Sequence, residues 1–177
     1  MTNRYYLHLI SLLFLLSIFT FSQNDNRGYI VNVGDKAPLF KTTTSTGESF
    51  DLEEHRGKIV MLQFTASWCS VCIKEMPYIE NEIWQKHKDS DDFILIGIDR
   101  GESTEMINKL INKTNVTYPI CMDEKSEIFE LYAEKKAGVT RNIIIDRDGQ
   151  IIFLTRLFNI DEFNEMKHII NESITKK

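Results

Sequence analysis

The sequence predicts one α/β domain with helices on both faces of a mixed sheet. Three apolar, β-prone runs, residues 58–65, 93–99 and 142–146, show the weak alternation expected of strands buried on both faces. A helical pattern separates the first two runs, so these strands must be parallel, whereas a tight turn after the third makes the end of the sheet antiparallel. The composition, 27% charged and 42% hydrophobic over 177 residues, is typical of a globular domain.

The first 22 residues are predicted to be a signal peptide. Arg4 precedes an apolar run over residues 9–21, and Ser22 is small enough for cleavage after it. Because the run is shorter than the roughly 20 residues that a membrane-spanning helix needs, cleavage is favoured over an uncleaved membrane anchor. In both cases the domain, residues 28–177, is expected outside the cytoplasm: periplasmic, secreted or held at the outer face of the inner membrane by that anchor alone.

The first half of the domain is predicted to begin with a β extension. Residues 29–50 contain short extended pieces with turns at Pro38 and Gly47, which is typical of an N-terminal hairpin. Further along, the first buried strand turns directly into a helix that runs to about residue 87. Pro77 lies inside this helix and should kink it, because proline removes a backbone donor and clashes with the preceding turn.

The second half is predicted to contain a helical insertion after the second buried strand. Apolar residues between positions 106 and 111 share one helical face, and an extended piece over residues 117–122 and a helix near Ile128 follow. Residues 147–149 form the turn of a final hairpin. A helix over residues 161–174 closes the domain.

Charge and cysteine content exclude two classes of protein. The formal net charge is −5, and phosphate binding requires clustered Lys and Arg, so nucleic acid is not an expected partner. The three cysteines, Cys69, Cys72 and Cys121, are too few for a scaffold built on disulfides. The hydrophobic core must therefore hold the fold.

Cys69 and Cys72 have the spacing of a redox-active pair. Cys69 is predicted to lie where the helix begins, and there unpaired backbone N–H groups and the positive end of the helix dipole stabilise a thiolate. Thiols in such positions have pKa values between about 3.5 and 7.5 instead of near 8.5. Cys72 follows one turn later and can attack a mixed disulfide formed on Cys69. The pattern predicts Cys69 as nucleophile and Cys72 as resolving cysteine, with no metal and no other cofactor.

Three other interpretations of the pair are less well supported. A zinc site needs two further ligands, but His55, His87 and His168 stand alone in the sequence. Covalent haem attachment requires His directly after the second cysteine, where this chain has Ile73. An inert structural disulfide is the third interpretation, although a crosslink that closes so small a ring contributes little stability.

The residues around the pair resemble a known signature. Trp68, Cys69, Cys72, Glu75 and Pro77 match the WCxxCxxExP pattern of the thioredoxin superfamily, in particular of its exported TlpA/ResA-like branch, which is related to the AhpC/TSA redoxins. The resemblance covers the whole predicted domain and implies a thioredoxin-like three-layer α/β/α sandwich. It also implies the reduction, less often the oxidation, of disulfides in other proteins, with electrons delivered by a thiol carrier in the membrane.

The resemblance further implies a proton-relay role for Glu75. This residue lies three positions beyond Cys72, on the same helix face, where a semi-buried carboxyl has a raised pKa and can exchange a proton with Cys72. The alternative is a solvated glutamate. Thioredoxins proper have a buried aspartate six residues before the first cysteine, and here that position holds Gln63. Proton transfer would then depend on Glu75 alone.

Three residues are expected to form the substrate-binding surface: Trp68, Thr140 and Arg141. Thr140 occupies the position where the superfamily usually has a cis-proline. Because a cis bond before a non-proline residue costs about 2.5 to 4 kcal/mol, a trans Val139–Thr140 bond is predicted. Arg141 either leans towards the thiolate and stabilises it or lies at the sheet edge facing solvent.

Two other functions remain open from the sequence. One is a peroxiredoxin-like peroxidase, since Thr140 and Arg141 resemble that family. Against it, the Thr and Pro that peroxiredoxins place three and seven residues before their reactive cysteine are Ala66 and Leu62 here. The other is a binding module that keeps the fold but uses no redox chemistry. The leading prediction is disulfide exchange with extracytoplasmic proteins, in the direction of reduction.

Overall fold

A computed structural model describes residues 27–176 of the chain. The predicted leader, residues 1–22, lies outside the described residues. Among residues 27–176, every helix is too short or too polar to cross a membrane.

The described part of the chain contains seven strands and four main helices. In order they are β1 (Lys41–Thr43), β2 (Ser49–Asp51), β3 (Ile59–Thr65), α1 (Ser70–Ile79), β4 (Phe93–Arg100), α2 (Thr104–Thr114), β5 (Ile120–Asp123), α3 (Glu127–Tyr132), β6 (Arg141–Ile145), β7 (Ile151–Arg156) and α4 (Ile160–Thr175). Strands β1 and β2 form an antiparallel hairpin whose turn contains Gly47 at a φ of 93°. This hairpin confirms the predicted β extension, and α2, β5 and α3 form the predicted insertion.

The central sheet has the strand order β5-β4-β3-β6-β7. The pairs β3–β4 and β4–β5 are parallel, whereas β3–β6 and β6–β7 are antiparallel. The prediction of a parallel first half and an antiparallel end is confirmed. Strand β3 lies in the middle and all of its residues are buried, which explains why its sequence is apolar without alternation.

Two hydrophobic cores cover the two faces of this sheet. Leu62 and Phe64 of β3 belong to one core together with Phe129 of α3 and the N-terminal hairpin. Met61 points to the opposite face, where it belongs to a second core with residues of α1, α2 and α4, such as Met76. Since successive side chains of a strand point to opposite faces, β3 supplies both cores. The predicted three-layer α/β/α sandwich is confirmed.

Helix α1 runs through Pro77 and becomes irregular one turn later. A π-helical turn, Glu80–Trp84, follows α1, and a last α-helical turn, Gln85–His87, ends the segment. The Glu80 carboxylate fixes the π turn by accepting a 2.8 Å hydrogen bond from the backbone N–H of Thr117. The π turn begins three residues after Pro77, and the first turns of α1, which follow Cys69 and carry Cys72, are regular. A kink at Pro77 itself stays a prediction.

Candidate active site

Cys69 caps the N-terminus of α1. Strand β3 ends at Thr65, and the loop that follows places Cys69 in an extended conformation directly before the first helical residue. Its Sγ accepts a 3.1 Å hydrogen bond from the backbone N–H of Cys72. The sulfur therefore occupies the position of a capping oxygen, where an otherwise unpaired N–H group and the helix dipole favour a negative charge.

Cys69 and Cys72 form a disulfide, with a distance of 5.3 Å between their Cα atoms. The Cys69 residue is 8% exposed, whereas Cys72 is fully buried. The outer sulfur is thus the one that a partner protein can reach, and the inner sulfur lies behind it. This arrangement agrees with the predicted order of nucleophile and resolving cysteine.

Thr140 contacts both sulfurs. Its Oγ1 lies 3.2 Å from Cys69 Sγ and 3.3 Å from Cys72 Sγ. The topology explains this proximity: β6 pairs with β3 so that Arg141 lies opposite Phe64, which puts the residue before β6 beside the loop that leads to Cys69. All described peptide bonds are trans, so the prediction of a trans Val139–Thr140 bond is confirmed.

Glu75 is buried behind the pair, with only 2% of its surface exposed. Its Oε1 accepts a 2.8 Å hydrogen bond from Nδ2 of Asn142 in β6. Burial raises the pKa of Glu75 and the amides of Asn142 and Gln63 lower it in part, which leaves a pKa of about 7. The alternative of a solvated glutamate is therefore wrong, because the carboxyl lies between α1 and the sheet.

Gln63 belongs to the same buried polar group. Its Oε1 accepts a 2.6 Å hydrogen bond from the hydroxyl of Tyr118. The residue that stands where thioredoxins have their aspartate is thus a neutral amide that links β3 to the segment before β5. Among these residues, Glu75 is the group whose pKa lies near neutrality.

Arg141 does not occupy either position expected for it. The residue is fully buried in β6, the second strand from the edge of the sheet. Its guanidinium donates hydrogen bonds to the carbonyl oxygens of Arg27 (2.8 Å) and Gly138 (3.0 Å) and lies over the ring of Tyr29. The expectation of a solvent-facing Arg141 is wrong, and its hydrogen bonds go to main-chain carbonyls, so it supports the loop before β6. The reason is strand alternation, since Asn142 faces α1 and Arg141 faces the opposite layer.

Glu102 is a site residue that the sequence interpretation missed. Its carboxylate accepts hydrogen bonds from the backbone N–H (2.5 Å) and the hydroxyl (2.6 Å) of Ser67, two residues before Cys69. Next to it, Asp99 is buried at the end of β4, and burial followed by the charge of Glu102 raises the pKa of Asp99 to about 8. Because β3 and β4 are parallel and Thr65 pairs with Asp99, the polar residues after both strands had to meet at one edge.

Exposed apolar side chains border the pair. Trp68 is 63% exposed, so its side chain is accessible, and contact with a substrate stays a prediction. Leu157 is 47% exposed, and its backbone N–H donates a 3.1 Å hydrogen bond to the carbonyl oxygen of Thr140. The dithiol thus lies beside an apolar surface, which suits a protein substrate.

The third cysteine lies apart from this site. Cys121 is buried in β5 and carries a free thiol, and burial raises its pKa to about 12. Within residues 27–176, no three His, Cys, Asp or Glu side chains are arranged to hold a metal ion.

The fold and the dithiol together define the class of protein. A sheet of this order, with a Cys-x-x-Cys pair at the N-terminus of the helix that follows β3, is that of a thioredoxin-like thiol-disulfide oxidoreductase. The model of the family described as Redoxin matches residues 32–170. The chain belongs to the redoxin family.

Curated relatives and solved structures agree with this class. The chain is 30% identical to the thiol-disulfide oxidoreductase ResA of Bacillus thuringiensis subsp. konkukian over 122 residues, 69% of this chain and 68% of that protein. It is 52% identical to a candidate protein disulfide isomerase from Bacteroides thetaiotaomicron, with a TM-score of 0.82 over 84% of this chain and 94% of the other. A candidate thiol:disulfide interchange protein DsbE from Chlorobium tepidum shares the fold, at 24% identity and a TM-score of 0.71 over 81% of this chain and 99% of the other.

Proposed function

We propose that this oxidoreductase reduces disulfides in proteins outside the cytoplasm, with Cys69 as nucleophile and Cys72 as resolving cysteine. The observation that carries the proposal is the capping hydrogen bond, in which Cys69 Sγ accepts the Cys72 N–H at the N-terminus of α1. This interaction is stronger for a thiolate than for a thiol, so it lowers the pKa of the sulfur that a client can reach.

The exchange takes place in two steps. The Cys69 thiolate attacks one sulfur of the client disulfide, a mixed disulfide forms, and the other client sulfur leaves as a thiolate that takes up a proton. Cys72 then loses its proton and attacks Cys69 Sγ, which releases the second client sulfur and forms the Cys69–Cys72 disulfide. The client gains two electrons and two protons. The enzyme loses two electrons but only the thiol proton of Cys72, because Cys69 reacts as a thiolate, so the second proton comes from solvent.

Glu75 accepts the proton of Cys72 in the second step. It lies one helical turn beyond Cys72 and is nearly as buried. A carboxyl whose pKa is about 7 is divided between its two protonation states at neutral pH, as a proton relay requires. During reduction of the enzyme the same carboxyl returns the proton to the leaving Cys72 thiolate.

The leader supports the proposed location, and the proposed reaction itself requires an electron donor. The apolar run over residues 9–21 supports export to a compartment where disulfides persist. An exported reductant must itself be reduced again, and a thiol carrier in the membrane supplies those electrons. Its thiolate attacks Cys69 Sγ and reverses the two steps.

Insulin reduction with a small dithiol as electron source tests the proposal. We expect Cys69→Ser to abolish activity and Cys72→Ser to accumulate a mixed disulfide through Cys69, because the second step is blocked. Cys121→Ala serves as the matched control, since that thiol is buried away from the pair, and it should retain activity. Unchanged insulin reduction by Cys69→Ser, or peroxide consumption by the wild type that is faster than insulin reduction, would contradict the proposal.

A further inference from the structure

The hydroxyl of Thr140 lies almost equally far from the two sulfurs that exchange the disulfide. Its Oγ1 is 3.2 Å from Cys69 Sγ and 3.3 Å from Cys72 Sγ, and the residue is 3% exposed. Within residues 27–176 these sulfurs are the hydrogen-bond partners of the hydroxyl. A buried hydroxyl whose partners are both reacting atoms is placed to act on each of them.

The main chain fixes this placement. The carbonyl oxygen of Thr140 accepts a hydrogen bond from the backbone N–H of Leu157, and the next residue, Arg141, is paired in β6 with Phe64 of β3. These contacts hold the backbone of Thr140 beside the pair, and rotation about the C–O bond directs the hydroxyl proton to one sulfur or the other. The hydroxyl therefore reaches either sulfur without any movement of the backbone.

A hydroxyl has one donor and two acceptor positions, so it can donate to one sulfur while it accepts from the other. We propose that Thr140 is a catalytic residue of the exchange, whose O–H donates to whichever of the two sulfurs carries the negative charge. This inference rests on the proposed function of the pair. A proline, which has no hydroxyl, cannot take this role at that position.

The role of Thr140 differs between the two steps. In the reduced enzyme its O–H donates to the Cys69 thiolate, beside the Cys72 N–H, and its oxygen accepts the S–H of Cys72. Once Cys69 is in the mixed disulfide it carries no charge. Cys72 gives its proton to the Glu75 carboxylate, and the O–H of Thr140 turns to the Cys72 thiolate that forms. No proton leaves Thr140 in either step, and the electrons move only between sulfur atoms.

The hydroxyl also favours the reduced form of the pair. It stabilises a thiolate more than a disulfide sulfur, because hydrogen bonds to charged acceptors are the stronger ones. A stabilised reduced form makes a dithiol pair more oxidising, so loss of the hydroxyl should make the reduction potential more negative.

Two substitutions distinguish the effect of the hydroxyl from the effect of side-chain shape. Thr140→Val replaces the hydroxyl by a methyl group, and Thr140→Ser keeps the hydroxyl. Thr114→Val is the matched control, because Thr114 is a buried threonine of α2 whose hydroxyl donates to the Leu110 carbonyl, away from the pair. The pH dependence of iodoacetamide alkylation of Cys69 in the reduced proteins gives its pKa, and equilibration with glutathione gives the potential.

We expect Thr140→Val to raise the pKa of Cys69 by about one unit, a roughly tenfold loss of thiolate at low pH. The equilibrium constant with glutathione should change about tenfold in favour of the Cys69–Cys72 disulfide. This change corresponds to a reduction potential that is about 30 mV more negative. Thr140→Ser should stay within about 0.3 unit of the wild type, and Thr114→Val should have no effect on either quantity. If Thr140→Val is too unstable to measure, Thr140→Ala provides a second variant without the hydroxyl.

Equal pKa values for Cys69 in the wild type and in the variants without the hydroxyl would overturn the inference. An equal shift in Thr140→Ser and Thr140→Val would also overturn it, since packing alone would then explain the effect. Insulin reduction is measured on the same samples. Failure of the wild type to reduce insulin counts against the proposed function, whereas normal insulin reduction without a pKa shift counts against Thr140 alone.

Discussion

The side-chain amide of Asn142 donates a 2.8 Å hydrogen bond to Oε1 of Glu75. This contact links β6 to α1, which carries Cys72 and is capped by Cys69. Because the amide favours the charged form of the carboxyl, it offsets part of the rise in pKa that burial causes, and the resulting pKa is about 7. The pKa of Glu75 is thus set by a balance between desolvation, which raises it, and the side-chain amides of Asn142 in β6 and Gln63 in β3, which lower it.

We expect Asn142→Ala to raise the pKa of Glu75 further, by about one unit, because a hydrogen bond to the charged form is lost. The measurement is a carboxyl titration by NMR on protein labelled at glutamate. The double variant Glu75→Gln/Asn142→Ala is the control, since it identifies the resonance that belongs to Glu75. A pKa that is unchanged or lower in Asn142→Ala would contradict this account of the balance.

Glu75 also makes stability depend on pH. Burial raises its pKa from 4.5 to about 7, so the folded state binds more protons than the unfolded state between these two values. Stability contributed by the protonated carboxyl is therefore present below pH 4.5 and lost as pH rises to 7, which amounts to about 3 kcal/mol. Glu75→Gln removes this dependence.

Urea unfolding at pH 4 and pH 8 tests the sign of this effect. We expect the stability of Glu75→Gln relative to the wild type to increase by about 3 kcal/mol from the lower to the higher pH. Glu48→Gln, the same change at an exposed position, should show no such increase. If the free energy of unfolding changed with pH to the same extent in Glu75→Gln and in the wild type, the carboxyl would not be buried as described.

Glu102 holds the loop before Cys69, and its loss should affect both stability and reactivity. Glu102→Ala leaves the Ser67 N–H and hydroxyl without their acceptor, which costs about 1 to 3 kcal/mol for a partly buried donor. We also expect slower alkylation of Cys69, because the loop that positions it is released. Glu105→Ala, in the first turn of α2, is the control, and equal stability of the two variants would contradict the role assigned to Glu102.

Arg141 is predicted to act on the fold and not on the thiolate. Arg141→Met removes the hydrogen bonds to the Arg27 and Gly138 carbonyls and should lower the free energy of unfolding by about 3 kcal/mol. The pKa of Cys69, measured by alkylation, should shift by less than about 0.3 unit. A rise of about one unit would show that the guanidinium stabilises the thiolate after all.

The fold and the two reacting sulfur atoms could be predicted from the sequence, because both depend on local patterns. The apolar run of β3 identifies the central strand, and the junction after it predicts that Cys69 caps a helix and that Cys72 lies one turn deeper. The direction of Arg141 could also have been predicted, since a strand residue next to one that faces α1 must face the other layer. That direction, however, depends on which helices cover each face of the sheet.

The supporting contacts could not be read from spacing along the chain. Asn142 lies 67 residues from Glu75, and Glu102 lies 35 residues from Ser67. Each contact depends on which strands are neighbours and in what register, and a one-residue change of register would exchange the faces of every side chain. The position of Thr140 was identified, but its contact with both sulfurs follows only from the pairing of β6 with β3.

The order of reactivity of the two cysteines tests the account most directly. The reduced protein is alkylated with a small excess of iodoacetamide across a range of pH, and mass spectrometry locates the label. The account predicts that Cys69 is labelled ahead of Cys72 and that its pKa lies below about 7.5. A pKa near 8.5 for Cys69, or labelling of Cys72 first, would contradict the claim that a capped thiolate at the N-terminus of α1 performs the exchange.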